Sequence, residues 1–210
     1  MNHIVLLGDS IFDNAAYVEG GPDVRSQLQS ILPNDWRVTL LAVDGSTIQD
    51  IHAQIRLLPK DASHLIISAG GNDALGYAGF LYETASSVAD VLNRLSQLGK
   101  DFEIKYHRML AEVLSHGIPT AVCTIYYPRF PDAVLQRLAI TALTVFNDCI
   151  ISEAFTARIP LIDLRLVCNE DADYANPIEP SVKGGEKIAR AIARLVSEHD
   201  FRKVRTQVFI

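Results

Sequence analysis

Apolar residues along this chain gather in short runs separated by stretches of helical spacing. Five runs are brief and rich in β-branched residues: His3–Leu7, Val38–Val43, His64–Ala69, Ile118–Tyr126 and Ile159–Leu164. None alternates strictly between apolar and polar, which is how strands covered on both faces read. Between them, Val88, Val91, Leu92 and Leu95 keep a helical period and Gly99 offers a stop. Phe102, Tyr106, Met109, Leu110 and Val113 then resume the period as far as Gly117. Leu135, Leu138, Ala139, Ala142 and Phe146 predict a long helix after Pro131-Asp132, and Ile188, Ile192, Leu195 and Val196 predict the last one. Strand–helix alternation through five strands predicts an α/β fold, a parallel sheet with helices on both faces. One domain is expected over residues 1–198, with 199–210 and its basic run Phe201–Arg205 as a solvated tail.

Composition narrows the classes. With 210 residues, 49% of them hydrophobic, the chain can bury one substantial core. Acidic residues number 25 against 19 basic ones, and no basic stripe runs along a face, so nucleic acid is not an expected partner. The longest early apolar run, Ile4–Leu7, is too short for a secretion signal or a membrane span. Cys123, Cys149 and Cys168 are widely spaced with no CxxC, which reads as reduced thiols and a cytoplasmic location. HExxH, P-loop and dinucleotide fingerprints are missing, so neither a metal nor an organic cofactor is expected.

Parallel sheets bind ligands at the carboxyl ends of their strands, which directs attention to the loops starting at Gly8, Asp44, Gly70, Tyr126 and Leu164. The first reads Gly8-Asp9-Ser10-Ile11-Phe12-Asp13-Asn14. Ser10 there is either a nucleophile or the cap of the next helix, and Asp13 and Asn14 are capping candidates too. In the second, Gly45 allows the backbone to approach a ligand with its N–H free to donate, or marks an ordinary turn ahead of a cap at Ser46 or Thr47. In the third, Gly70-Gly71-Asn72-Asp73 offers an amide donor or an Asx-turn.

Taken together and in this order, with Thr124-Ile125-Tyr126-Tyr127-Pro128 after the fourth run, these segments resemble the SGNH hydrolases, also called GDSL lipases/esterases. The resemblance runs over nearly the whole chain. It implies a three-layer α/β/α sandwich with a five-stranded parallel sheet, similar to flavodoxin, acting on a small-molecule ester or thioester. It also implies a serine nucleophile at Ser10, an oxyanion hole from the N–H groups of Ser10 and Gly45 and the side chain of Asn72, and a basic histidine. Where the family has Asp-x-x-His-Pro ahead of the last helix, this chain has Asn176-Pro177-Ile178-Glu179-Pro180.

Both ionisable positions of that motif have changed, and the change is electrostatically coherent. A neutral histidine beside a charged aspartate carries one negative charge, and so does a charged Glu179 beside a neutral Asn176. Glutamate is the weaker base, by about 2.2 pKa units or roughly 3 kcal/mol. Burial can raise a carboxyl by about 3 units and close that gap. On this reading Glu179 takes the Ser10 proton and the Asn176 amide donates to Glu179. The plainer reading leaves Glu179 as an exposed loop residue and Asn176 as a turn residue. None of the six histidines falls at a carboxyl-end loop. An alternative from another class is a binding protein on a hydrolase scaffold, which holds an ester or glycan and turns it over poorly.

Overall fold

The computed structural model describes residues 2–210; Met1, the first residue of the expected domain, lies outside them. The elements are β1 (Asn2–Gly8), α1 (Val24–Ile31), β2 (Trp36–Leu40), α2 (Ile51–Ile55), β3 (His64–Ser68), α3 (Gly71–Gly76), α4 (Val88–Ser115), β4 (Thr120–Cys123), α5 (Ala133–Ala157), β5 (Leu161–Ile162), α6 (Leu164–Val167), α7 (Val182–Glu198) and β6 (Val208–Phe209). The strands form one parallel sheet in the order β2-β1-β3-β4-β5-β6.

Successive side chains of a strand point to opposite faces. On β1, Ile4 and Leu6 enter the core shared with α1 and α7, while Val5 and Leu7 enter the core shared with α2, α4 and α5. This double coverage is why the first apolar run does not alternate. Strand order reverses between β1 and β3, so the crevice at their carboxyl ends is the expected place for a ligand.

Two expectations are corrected. The sheet has six strands rather than five, because Val208 and Phe209 pair with Leu161 and Ile162. Residues 199–210 are therefore not a free tail. Phe209 is only 2% exposed, and the buried His199 ring packs edge-on against both Phe201 and Phe209. A two-residue strand is too short to show a period, and the basic residues before it read as solvated.

The second correction concerns Gly99, which stops nothing: α4 is one helix of 28 residues. A glycine inside a helix costs about 1 kcal/mol without breaking it. Here it lets α4 and α5 approach, since a Cβ at Gly99 would come within 2.6 Å of Val145 Cγ1. Both helices run antiparallel to the strands they precede and so begin on the carboxyl side of the sheet. At 1.5 Å per residue α4 is about 42 Å long, against about 17 Å for a five-residue strand. Buried residues on α4 begin only at Gly99, and on α5 only at Phe146. The first halves of both helices thus rise past the sheet edge. By length and composition α5 also passes for a membrane-crossing helix, with a mean hydropathy of 1.5 over 18 residues.

Candidate active site

The turn after β1 is forced by Gly8. Its φ is +137°, and an added Cβ would sit 1.8 Å from the Ser68 carbonyl oxygen on β3, so only glycine fits. Gln54 on α2 holds that glycine from both sides: Gly8 N–H donates to Gln54 Oε1 at 2.8 Å, and Gln54 Nε2 donates to Gly8 O at 2.8 Å. Ser10 follows in a tight turn in which Phe12 N and Asp13 N both donate to Asp9 O. No helix starts here for Ser10 to cap; α1 begins at Val24 and is capped by Asp23. The Ser10 side chain is buried and lines a cavity of about 240 Å³ at the carboxyl ends of β1 and β3.

Asn72 lines the same cavity from the start of α3. One amide hydrogen is committed to Ser46 O at 2.9 Å, which fixes the side chain and leaves the second hydrogen free. Its neighbour Asp73 accepts from Ile48 N at 2.9 Å, so the third loop braces the second. Gly45 takes φ +79° in a turn closed by Ser46 N donating to Val43 O. Among the described residues its N–H has no hydrogen-bond partner, and Gly45 itself stays outside the cavity lining. Thr47, not Ser46, caps the following turn, with Asp50 completing a capping box.

Glu179 reaches the cavity from a loop tied down at nearly every residue. Asn176 Oδ1 accepts from Ile178 N and Glu179 N, both at 3.0 Å. Ala175 N donates to Glu179 O, Arg129 N to Pro177 O, and Tyr126 Oη to Ile178 O at 2.6 Å. Asn14 is fully buried; it accepts from Val24 N and donates to Pro180 O at 3.3 Å, joining the first loop to the last. Asn176 therefore holds the backbone of the turn with its carbonyl end. Among the described residues its amide makes no hydrogen bond to the Glu179 carboxylate.

The Glu179 side chain is 6% exposed, and its Oε2 is buried without a hydrogen-bond partner. Burial pushes the carboxyl up to about 7, with the Ser10 hydroxyl beside it pulling the other way and the charge of Asp44 adding to the rise. A carboxyl in that range releases and recovers a proton near neutral pH, which is what a general base for a hydroxyl requires. Asp9, next to Ser10 in the chain, lines the same cavity. Its burial also pushes it up to about 7, opposed by the Ile11 N–H that it accepts and reinforced by Glu179.

The structure thus brings Ser10, Asn72 and Glu179 to one cavity, with Gly45 in the adjoining turn and Asn176 one turn behind Glu179. Sequence reasoning missed Asp9, Gln54 and the bridging role of Asn14. Gln54 was the readable one, because it shares the buried face of a short helix with Ile51 and Ile55. His3, at the far end of β1, lies between Thr39 and Asp61. The three cysteines are free thiols; Cys123 and Cys168 are buried, and Cys149 is partly exposed.

A parallel sheet with a serine, an amide and a carboxyl at its carboxyl edge defines a hydrolase-type α/β sandwich. The GDSL-like lipase/acylhydrolase family model matches residues 6–187, and the chain belongs to that family. Among solved structures it is similar to the extracellular lipase of Streptomyces rimosus, with 16% identity and a TM-score of 0.65 over 95% of this chain and 100% of that one. It is also similar to phospholipase A1 from Streptomyces albidoflavus NA297, with 16% identity and a TM-score of 0.66 over 94% and 99%. An acetyl xylan esterase, AlAXEase, gives 17% identity and a TM-score of 0.68 over 94% and 100%. At these identities the likeness is one of fold. No curated protein matches the sequence.

Proposed function

We propose that the protein hydrolyses a small-molecule carboxylic ester through a Ser10 acyl-enzyme, with Glu179 as the general base in place of histidine. The observation that carries this reading is the buried Glu179 carboxyl, which lines the same cavity as Ser10 with its Oε2 lacking a hydrogen-bond partner; burial there pushes the group up toward the range of a neutral-pH base. Glu179 accepts the hydroxyl proton as Ser10 Oγ bonds to the ester carbonyl carbon. The carbonyl oxygen takes the electron pair and is held by the N–H groups of Ser10 and Gly45 and by Asn72 Nδ2. Collapse breaks the bond to the alkoxy group, which leaves as the alcohol with the proton from Glu179. A water molecule then gives its proton to Glu179 and attacks the acyl carbon. Breaking the acyl–Oγ bond releases the carboxylic acid, and the proton returns to Ser10.

Asn176 serves this scheme through the turn it closes. The pair Glu179 and Asn176 does the work of the family's His and Asp without an imidazolium: as Glu179 is neutralised the oxyanion forms, so the step moves the negative charge without changing the net charge of the site.

A fluorophosphonate probe tests the reading. It is expected to modify Ser10, with no labelling of Ser10→Ala and labelling slowed by about 100-fold or more in Glu179→Gln, the usual worth of a general base. Equal labelling rates in wild type and Glu179→Gln would remove Glu179 from the mechanism. No labelling of the wild type would favour a binding protein on this scaffold.

A further inference from the structure

The cavity does not end at Ser10. It continues away from the sheet edge between the raised first halves of α4 and α5 and the segment 74–82. The walls of this extension are hydrocarbon: Leu95 and Leu98 on α4, and Leu135, Ala139, Ala142 and Leu143 on α5. The α5 positions 135, 139, 142, 143 and 146 follow one helical stripe, so a continuous face of α5 is turned to the space. Below it, Gly99 and Val145 bring the helices together. Phe146 closes the floor, stacked on Tyr77 at 5.7 Å and tilted against Phe102 at 5.0 Å.

Above Phe146 this stripe is only partly covered by protein, Leu143 alone among those positions packing on the core. None of the residues of α5 before Phe146 is buried, although the helix is apolar enough to pass for a membrane span. Two of the stripe positions are alanines, where leucines would fill the gap against α4. An apolar face that lines a channel opening on a nucleophile is suited to an apolar substituent of the reacting molecule. On α5 this face carries no hydrogen-bonding or charged side chain for a sugar or a charged headgroup.

Resting on the Ser10 reading above, we infer that the channel between the upper halves of α4 and α5 binds the aliphatic acyl chain of the ester, and that Ala139 and Ala142 set the chain length it admits. The substrate class is then an ester of a medium-length aliphatic acid, with the alcohol part left on the open side of the cavity.

The experiment is a chain-length series of 4-nitrophenyl esters from acetyl to dodecanoyl, read as kcat/KM. For wild type the value should rise from acetyl to an optimum at an acyl chain longer than butanoyl. In Ala142→Leu, and separately in Ala139→Leu, the ratio of the decanoyl to the acetyl value should fall by about tenfold or more, the scale on which a pocket discriminates a few methylenes. A wild-type optimum at acetyl overturns the inference, as does an unchanged ratio in both variants with hydrolysis still dependent on Ser10. Failure of the underlying reading looks different, as hydrolysis that is absent or that survives Ser10→Ala. In that event cis-parinaric acid fluorescence decides about the channel. Binding weakened about tenfold by Ala142→Leu keeps it; no binding, or binding unaltered by the change, overturns it.

Discussion

Asn72 is held by one amide hydrogen on Ser46 O, so the other can meet a developing oxyanion without reorganising. Such donors act on the transition state more than on the bound ester. Asn72→Ala is therefore expected to lower kcat by about 100-fold or more with KM little changed. Steady-state kinetics on an ester whose turnover requires Ser10 give the answer, and an unchanged kcat would exclude Asn72 from the oxyanion hole. At this scale the sequence was legible where a residue's place in the chain fixes its place in the fold. Ser10 and Asn72 each follow a strand and a glycine, and the fold leaves such residues at the sheet edge. It was less legible where a side chain has two ends. Asn176 carries a donor and an acceptor, and only the folded turn shows that the acceptor end is used, on the N–H groups of Ile178 and Glu179. Asp9 drew no attention because a carboxyl beside Ser10 has no spacing pattern to betray it; its burial is a tertiary fact.

The start of α7 is where an element, rather than a residue, positions the site. Ser181 caps it by accepting from Gly184 N, and the helix packs so closely on the 171–173 turn that a Cβ at Gly184 would lie 2.1 Å from Asp173 O. Backbone cannot yield there as a flexible side chain would. Gly184→Ala should destabilise the protein by about 1–3 kcal/mol or more, at about 2–4 °C of Tm per kcal/mol for a chain of this size. Gly79→Ala, where nothing lies within 4 Å of the added Cβ, is the comparison and should leave Tm unchanged or raised. Thermal unfolding of the two variants side by side reads the difference; equal Tm values would mean that α7 shifts freely and does not fix the Glu179 loop. The first five strands and the helices α4, α5 and α7 were legible from the apolar runs; their ends were not, nor were α1, α2, α3 and α6, which at 8 residues or fewer are too short to show a period. The Val38–Val43 run continues past β2 because Leu41 and Ala42 still donate to Leu6 O beyond the ladder. Gly99 read as a stop because a helix crossing and a helix end ask for the same small residue.

Over the whole molecule, the sheet supplies a rigid edge and the unusual length of α4 and α5 supplies the wall above it. The parallel sheet with helices on both faces was readable from the alternation of strands and helices, but the strand order and the switch between β1 and β3 were not, since alternation alone fixes no order. The sixth strand was not, since two residues pair only because the chain returns to β5. What the sequence left open was the setting of Glu179, which the fold buries in the cavity that Ser10 lines. The form that accepts a proton is the carboxylate. With the carboxyl raised from its ordinary value to about 7, that form is scarce at pH 5 and dominant at pH 9. The decisive measurement is kcat/KM against pH for wild type and Glu179→Gln on the same aryl ester, since this quantity reports ionisations of the free enzyme. Wild-type activity should climb through a midpoint near 7 and then level off, while Glu179→Gln should be lower by about 100-fold or more with that climb gone. Equal activity in the two proteins, or a Glu179→Gln profile with the same rise as wild type, would contradict Glu179 as the base.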